Sequence, residues 1–392
     1  MNEKILSEIL SKVSTLPKND YGTDITQDLF EVTKNELNEL EIKFEPYIYK
    51  QKERLKIFYT KDDYFKYSKN FYNNNSMFGF KISNDKMLTE KFLKLANVPT
   101  TNSIKLSANQ FEKGMEYLVD NPSPKVVKPI NLANGRGVFV DVTTDNFREV
   151  WEQCVSIQKQ RKVKYPKVLI QDMVTGFEVR VIVVEGKVLS ATLRTPPYVI
   201  GDGNNTIADL INEKNKIRSS NEYFRNKDLK QDEKVIDYLS SKQQNLDTVL
   251  KENELCITYP ISNLVNGGEN IVVTHLLNDK ILKTAQDAVI AIPGIHTAGV
   301  DVLIDSLETE TPTILEVNKA PALQLNYYPY IGEPQSPLKY IFSSLVLEQK
   351  IINNQLDLND LNEFEFNILI NRYKYLFRKQ KTLSEIIENI KD

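Results

Sequence analysis

Whatever chemistry this chain performs has to come from carboxylates, lysines and arginines. It carries two histidines, His275 and His296, and two cysteines, Cys154 and Cys256. That is too few for Ser-His or Cys-His catalysis, a thiolate metal site or a disulfide framework, and all four read as structural residues. The run Lys128-Pro129-Ile130-Asn131-Leu132-Ala133-Asn134-Gly135-Arg136-Gly137-Val138 is the first pattern suited to a reaction. A strand ends in a lysine, and a loop with two glycines returns into another strand. Glycines let backbone N–H groups close around phosphate oxygens, and the lysine offsets their charge. An ordinary hairpin with a glycine-containing loop is the other reading.

Asp301, Glu316 and Asn318 form a second constellation. Glu316 and Asn318 lie two apart on a strand, so they share a face, and a turn over 308–312 can bring Asp301 alongside. Two carboxylates and an amide oxygen suit Mg²⁺, which completes its octahedron with phosphate oxygens and water. A solvated sheet face would carry acids too, but Ile314, Leu315 and Val317 imply partial burial, where uncompensated carboxylates are costly. The third group is Glu178, Arg180, Lys187 and Arg194, with Glu178 and Arg180 on one face by the period-2 rule. It fits either anion handling or cross-strand ion pairing.

The elements that must position these residues follow from the apolar periodicity. Ile5, Leu6, Ile9, Leu10 and Val13 fall at helical spacing, 55–59 reads as a strand and 72–76 as a loop. A helix is expected over 83–97, with Ser83 as its N-cap and Leu88, Phe92 and Leu95 on one face. Strands follow at 125–128, 137–142, 168–171, 178–184 and 187–194, the last two joined by the tight turn Glu185-Gly186. A helix over 147–161 separates strands. Residues 207–250 are mostly helical, capped by Thr206. Strands at 254–260 and 270–274, a helix at 279–292 and strands at 299–305 and 313–318 come next, and a polar helical tail runs from 350.

With 392 residues the chain exceeds one ordinary core, so two or three domains are expected. Its 41% hydrophobic and 26% charged residues place it among soluble globular proteins. Fifty basic against 53 acidic residues leave a net charge of -3, no footprint for a nucleic-acid or membrane partner. The first ten residues are too charged for a signal peptide, and a cytoplasmic location is expected.

Taken in order, these pieces resemble the ATP-grasp superfamily, and specifically the ATP-grasp part of cyanophycin synthetases and bifunctional glutathione synthetases. The likeness runs from about Ser83 to Pro337. It includes Asp85-Lys86-Met87-Leu88-Thr89 with Val98-Pro99, the Lys128 to Val138 run, Leu169-Ile170-Gln171 and Gly176-Phe177-Glu178-Val179-Arg180-Val181. Arg194-Thr195-Pro196-Pro197, Gly201-Asp202-Gly203-Asn204-Asn205-Thr206-Ile207, Asn215, Asn263 and Gly267-Gly268 continue it. Ala298-Gly299-Val300-Asp301 and Glu316-Val317-Asn318 close it.

The resemblance implies roles. Lys86 and Lys128 hold the nucleotide phosphates under a loop containing Gly135, Arg136 and Gly137. Gln171, Asp172 and Val174 lie at the adenine hinge, and Glu178 meets the ribose hydroxyls. Arg194, with Lys128, serves the reacting phosphate, and Asp301, Glu316 and Asn318 bind metal. Arg180, Lys319, Gln324 and Asn326 are the substrate-side residues. Gln171 departs from the acid common at its position. Lys319 and Ala322 replace a small residue and a glycine, and Gln324 and Asn326 replace an Arg and a His. The Mur-ligase-like second domain of cyanophycin synthetases is absent, so cyanophycin synthesis itself is not expected.

The expected fold is therefore α/β (α+β): a two-lobed ATP-grasp core over 81–345, a small N-terminal domain over 1–80, and a helical tail over 346–392. The expected activity is ATP-dependent ligation of an amino-acid or peptide carboxylate to an amine through an acyl-phosphate, releasing ADP and phosphate. The expected cofactors are ATP and Mg²⁺, with Mn²⁺ as an alternative metal. A small-molecule kinase and a non-catalytic nucleotide-binding regulator are the rival readings, and homo-oligomerisation is left open.

Overall fold

The computed structural model describes residues 2–19, 28–68, 72, 74–130, 137–221, 224–262 and 264–391. The first helix, α1 (Glu3–Lys12), starts where Asn2 accepts a hydrogen bond from the Ile5 N–H, and it buries Leu6 and Ile9. Helix α2 (Leu29–Glu39) precedes a hairpin of β1 (Phe44–Tyr49) and β2 (Lys52–Phe58), with β3 (Tyr64–Tyr67) beyond β2. Lys50 and Gln51, both at positive φ, form the two-residue turn that suits strand twist. This three-stranded sheet and α2 share one apolar cluster with C-terminal helices. Leu29, Leu55, Ile57 and Tyr67 pack with Leu338, Phe342 and Ile368, and with Ile182 and Val184 from the central sheet.

The stretch expected as a single helix over 83–97 is two helices, α3 (Met77–Asn84) and α4 (Lys86–Leu95). Ser83 lies inside α3, and the N-cap is Asp85, whose extended backbone breaks the helix. A carboxylate accepts from two N–H groups at once, here Met87 and Leu88, and so out-competes a serine two residues earlier.

The small lobe follows as β4 (Ser103–Ser107), α5 (Phe111–Asp120), β5 (Lys125–Pro129), β6 (Phe139–Val142), α6 (Phe147–Gln160) and β7 (Lys167–Asp172). Its antiparallel sheet runs β4-β7-β5-β6. Val127, Val168 and Ile170 face Phe147, Trp151 and Cys154 in a core beneath α5 and α6. The alternate residues Lys105, Lys128, Leu169 and Gln171 are therefore left on the opposite face, toward the second lobe.

The large lobe opens with β8 (Phe177–Val184) and β9 (Lys187–Arg194), joined by Glu185 and Gly186, both at positive φ. An excursion of β10 (Tyr198–Ile200), α7 (Ile207–Ser219), α8 (Glu233–Ser241) and β11 (Leu255–Ile257) has its own core of Val199, Ile207, Ile211, Leu239 and Cys256. Thr206 and Asp209 form a capping box at the start of α7. Then come β12 (Asn270–Val272), α9 (Asp279–Ala291), β13 (Thr297–Ile304) and β14 (Thr313–Asn318). The five-stranded sheet runs β12-β9-β8-β13-β14, every described pair antiparallel.

One face of this sheet packs on α9 through Val179, Val181, Leu193, Val300, Val302 and Ile314. The short α10 (Gln324–Tyr327) leads to α11 (Pro337–Ile352), which begins at a proline as helices favour, and to α12 (Glu363–Lys391). Among the described residues no helix is long and apolar enough to cross a membrane.

Candidate active site

Two lysines stand at the junction, one on α4 and one on the small lobe. Because Asp85 caps α4, Lys86 is its first residue, and its Nζ lies 3.6 Å from Glu316 Oε2 on β14. Lys128, near the end of β5, donates to Gln171 Oε1 at 2.8 Å. Gln171 is buried, and its Nε2 donates to Thr101 Oγ1 at 2.5 Å and to Ser103 Oγ at 3.1 Å. Its amide is thus fully engaged in fixing Lys128. Burial and the nearby charge of Lys86 pull the Lys128 ammonium down to about 8, against the carboxylates of Glu316 and Glu90. Ser83, Lys86, Thr89, Glu90, Thr101, Gln171 and Glu316 line one pocket where the lobes meet.

The large sheet contributes a polar row, the alternate of its apolar face. Arg180 on β8 stands opposite Asp301 on β13, and Asp301 opposite Glu316 on β14. Arg180 Nε donates to Asp301 Oδ1, and its Nη2 to Oδ2 at 2.7 Å, a two-pronged pair sheltered from water. Asn318 Nδ2 donates to Asp301 Oδ2 at 2.9 Å. Arg194 Nη1 donates to Glu178 Oε1 at 3.3 Å. Burial and the charge of Asp301 push Glu178 up to about 7.

The structure thus brings Lys86, Lys128, Gln171 and Glu316 together, and joins Glu178, Arg180, Arg194, Asp301 and Asn318 in the adjoining row. Other expected residues stand elsewhere. Asp172 lies on the other face of β7, ion-paired with the buried Lys125 at 2.8 Å and accepting from Asn102 at 3.0 Å. Val174 is in the β7–β8 connection and partly exposed. Gly137 closes the glycine loop at φ 71, with Pro129 packed where a side chain would go. Gly135 and Arg136, like Asn263, lie outside the described residues.

Lys319 donates to Asn84 Oδ1 at the end of α3, with its Nζ 5.5 Å from the Phe80 ring centre, so it sits beside the Lys86 corner. Gln324 opens α10, and its side chain falls outside the described part of the structure. Asn326 is buried: it accepts from Ser190 at 2.6 Å and donates to the Leu323 carbonyl at 3.1 Å, a strut holding α10 on β9.

Two residues at the site carry signals that the sequence reading did not use. Glu90 is one helical turn after Lys86 and on the same side of α4, and it accepts from the Ser103 N–H at 2.9 Å. Asn270 opposes Arg194 across β9–β12. Its Nδ2 donates to the Leu325 carbonyl at 2.6 Å, and its buried Oδ1 has no partner among the described residues.

A divalent cation suits these donors in kind. Asp301 and Glu316 are opposed in register, and Asn318, its Nδ2 turned to Asp301, keeps its carbonyl oxygen for a ligand. Among the described residues no three His, Cys, Asp or Glu side chains are gathered into a cage. Mg²⁺ takes one or two carboxylates and leaves its other positions to phosphate and water.

Part of this chain is similar to known proteins. Residues 84–197 match the family described as phosphoribosylglycinamide synthetase, ATP-grasp (A) domain. The fold resembles the crystal structure of a bifunctional glutathione synthetase from Pasteurella multocida, with a TM-score of 0.63 and 20% identity over 84% of this chain and 45% of that one. Over residues 84–197, then, this chain is similar to the ATP-grasp domain.

Curated relatives include the cyanophycin synthetase of Trichormus variabilis, 26% identical over 265 residues, or 66% of this chain and 28% of the relative. The glutathione biosynthesis bifunctional protein of Clostridium perfringens is 26% identical over 258 residues, or 64% and 32%. The chain therefore spans about a third or less of the length of these relatives.

Proposed function

We propose that this chain is an ATP-dependent carboxylate–amine ligase working through an acyl-phosphate. The observation that carries the proposal is the meeting of cations and carboxylates where the lobes join, with Lys86 of α4 3.6 Å from Glu316 of β14 and Gln171 of β7 lining the same pocket. Two anions, a carboxylate and a terminal phosphate, must approach each other for such chemistry, and a cleft that brings lysines to carboxylates can hold both. Relatives named for the synthesis of cyanophycin and of glutathione support ligation over simple phosphorylation.

In this reading Lys86 and Lys128 bind the phosphates, Lys128 being aimed by Gln171. Asp301, Glu316 and Asn318 would hold Mg²⁺, which when bound supplies positive charge to the phosphate oxygens. Arg194, steadied by Glu178, faces the oxyanion that develops as the amine displaces phosphate. Glu178 and Val174 sit on the nucleotide's sugar and base side. Arg180 and Lys319 are the cations offered to the substrate's own carboxylate.

The test is product analysis with ATP, Mg²⁺ and a panel of amino acids and peptides, singly and in pairs. ADP and phosphate should appear only with an acid present, and hydroxylamine should trap a hydroxamate. AMP with pyrophosphate, or ADP with a stable phosphorylated alcohol, overturns the reading.

A further inference from the structure

The outer face of α12 is apolar where a solvent-facing helix should be polar. Its inner face is accounted for, with Ile368, Tyr375 and Ile386 buried against the body of the molecule. Yet Phe366, Ile370, Tyr373 and Phe377 are 51%, 41%, 73% and 65% exposed. They recur at i, i+4, i+7 and i+11, which is one stripe along three turns. The stripe ends at Gln380, Lys381 and Ser384, before the exposed Ile387 and Ile390 of the last turns. A helix apolar on both sides over the same turns is one buried on both sides.

The spacing within the stripe reads the same in both directions: four, three, four. Turned about a twofold axis midway between Ile370 and Tyr373, the stripe meets itself. Phe366 then falls on Phe377 of the second copy, and Ile370 on Tyr373 of the second copy. The flanking charges obey the same symmetry. Glu363 and Glu365 border the N-terminal end, while Arg378 and Lys381 border the C-terminal end. Arg378 is held by Asp287 of its own chain at 2.9 Å, but antiparallel pairing sets Glu363 beside Lys381 of the second copy, whereas parallel pairing sets like against like. With Leu376, the stripe leaves roughly 500 Å² of apolar side chain open per chain, so two copies cover about 1,000 Å² before any polar rim, the size at which a specific interface begins.

We propose that α12 is a self-association surface, through which two copies of this chain form a twofold dimer with their outer stripes packed antiparallel. Light scattering on the full-length chain at about 10–100 μM should give twice the 45.2 kDa chain mass. Tyr373→Lys and Phe377→Glu should each return it to the single-chain mass with unchanged circular dichroism and thermal midpoint, since both side chains already face water in one chain. The double variant Phe366→Cys with Phe377→Cys should form a covalent dimer without reductant. Phe366→Cys alone should not, because its counterpart lies about 16 Å away along the paired helices. The native Cys154 and Cys256 are buried and do not compete.

A single-chain mass for the unaltered protein across that range overturns the proposal. So does a monomer that instead co-sediments with anionic lipid vesicles. Cross-linking of Phe366→Cys alone as fast as the double variant overturns the antiparallel arrangement.

Discussion

With its ammonium drawn down to about 8 by burial and by Lys86, Lys128 loses its charge within the range of an ordinary assay. A base is charged below its pKa, so phosphate binding is complete on the acid side and fades as pH rises. KM for ATP should be flat below about pH 8 and climb toward tenfold per unit above it. Lys128→Arg should flatten that profile between pH 6.5 and 9.5, because a guanidinium stays protonated there. A profile that Lys128→Arg leaves unaltered would detach the lysine from nucleotide binding. Glu316→Gln should lower kcat by two or more orders of magnitude with little change in thermal midpoint, since Glu316 is partly exposed and leaves no charge buried. Near-normal Mg²⁺-dependent turnover in that variant would remove Glu316 from the metal set. Much at this scale was legible: Lys128, Glu178, Asp301 and Glu316 carry period-2 and loop signals. The engagement of Asp301 by Arg180 was not, because it depends on a cross-strand register that only the folded sheet defines.

The element that fixes the back of the large sheet is α12, through one buried ammonium. Lys379 Nζ, with three N–H donors, lies 2.8 to 3.1 Å from the carbonyls of Val289, Ile290, Ile292 and Ile295, where α9 ends. Burial pulls this lysine down to about 7, while four acceptors at a helix C-terminus favour its charged form. Lys379→Met should cost about 3 kcal/mol in urea unfolding, since it strands those carbonyls. Beside it, Tyr375 Oη lies 3.1 Å from His296 Nδ1, and burial holds the imidazole down at about 3. Between that value and the usual 6.5 the unfolded chain binds a proton that the folded one refuses, so stability falls as pH drops through that window. At pH 5 the loss is about 2 kcal/mol. His296→Gln should lack this part of the slope; an unchanged slope would place the titrating group elsewhere. Strands 187–194 and 313–318 lie where their β-branched runs and turn residues set them. The 83–97 stretch misled because periodicity continues across Asp85, and only the cap geometry separates the helices.

At the scale of the whole molecule, the cleft is built from two sheets that otherwise have separate cores, one under α5 and α6 and one under α9. A nucleotide held between them should tie their fluctuations together. Amide exchange with and without a non-hydrolysable ATP analogue and Mg²⁺ should slow in β5, β7 and β14 in concert, with saturation raising stability by about 2.7 kcal/mol at a hundred times Kd. Protection confined to one lobe would contradict a shared site. The two lobes were legible because each sheet has its own strand-rich run. The packing of the first sheet was not: residues 1–80 are expected as a small domain of their own, yet Tyr67 stacks edge-on against Phe342 at 5.2 Å.

That long closure bears on how the chain is made. Gln355 reaches back to Asp63 across 292 residues, and the cluster around Leu55 and Tyr67 is filled by α11. At ribosomal speed the gap corresponds to roughly 15 to 60 s. For that interval the emerging β1–β3 sheet has its apolar face made but its partners unsynthesised. The small lobe, whose core runs from Leu118 to Ile170, can form on the ribosome as it emerges. The N-terminal sheet is built first and seated last, and during translation it is the surface that a nascent-chain chaperone would meet.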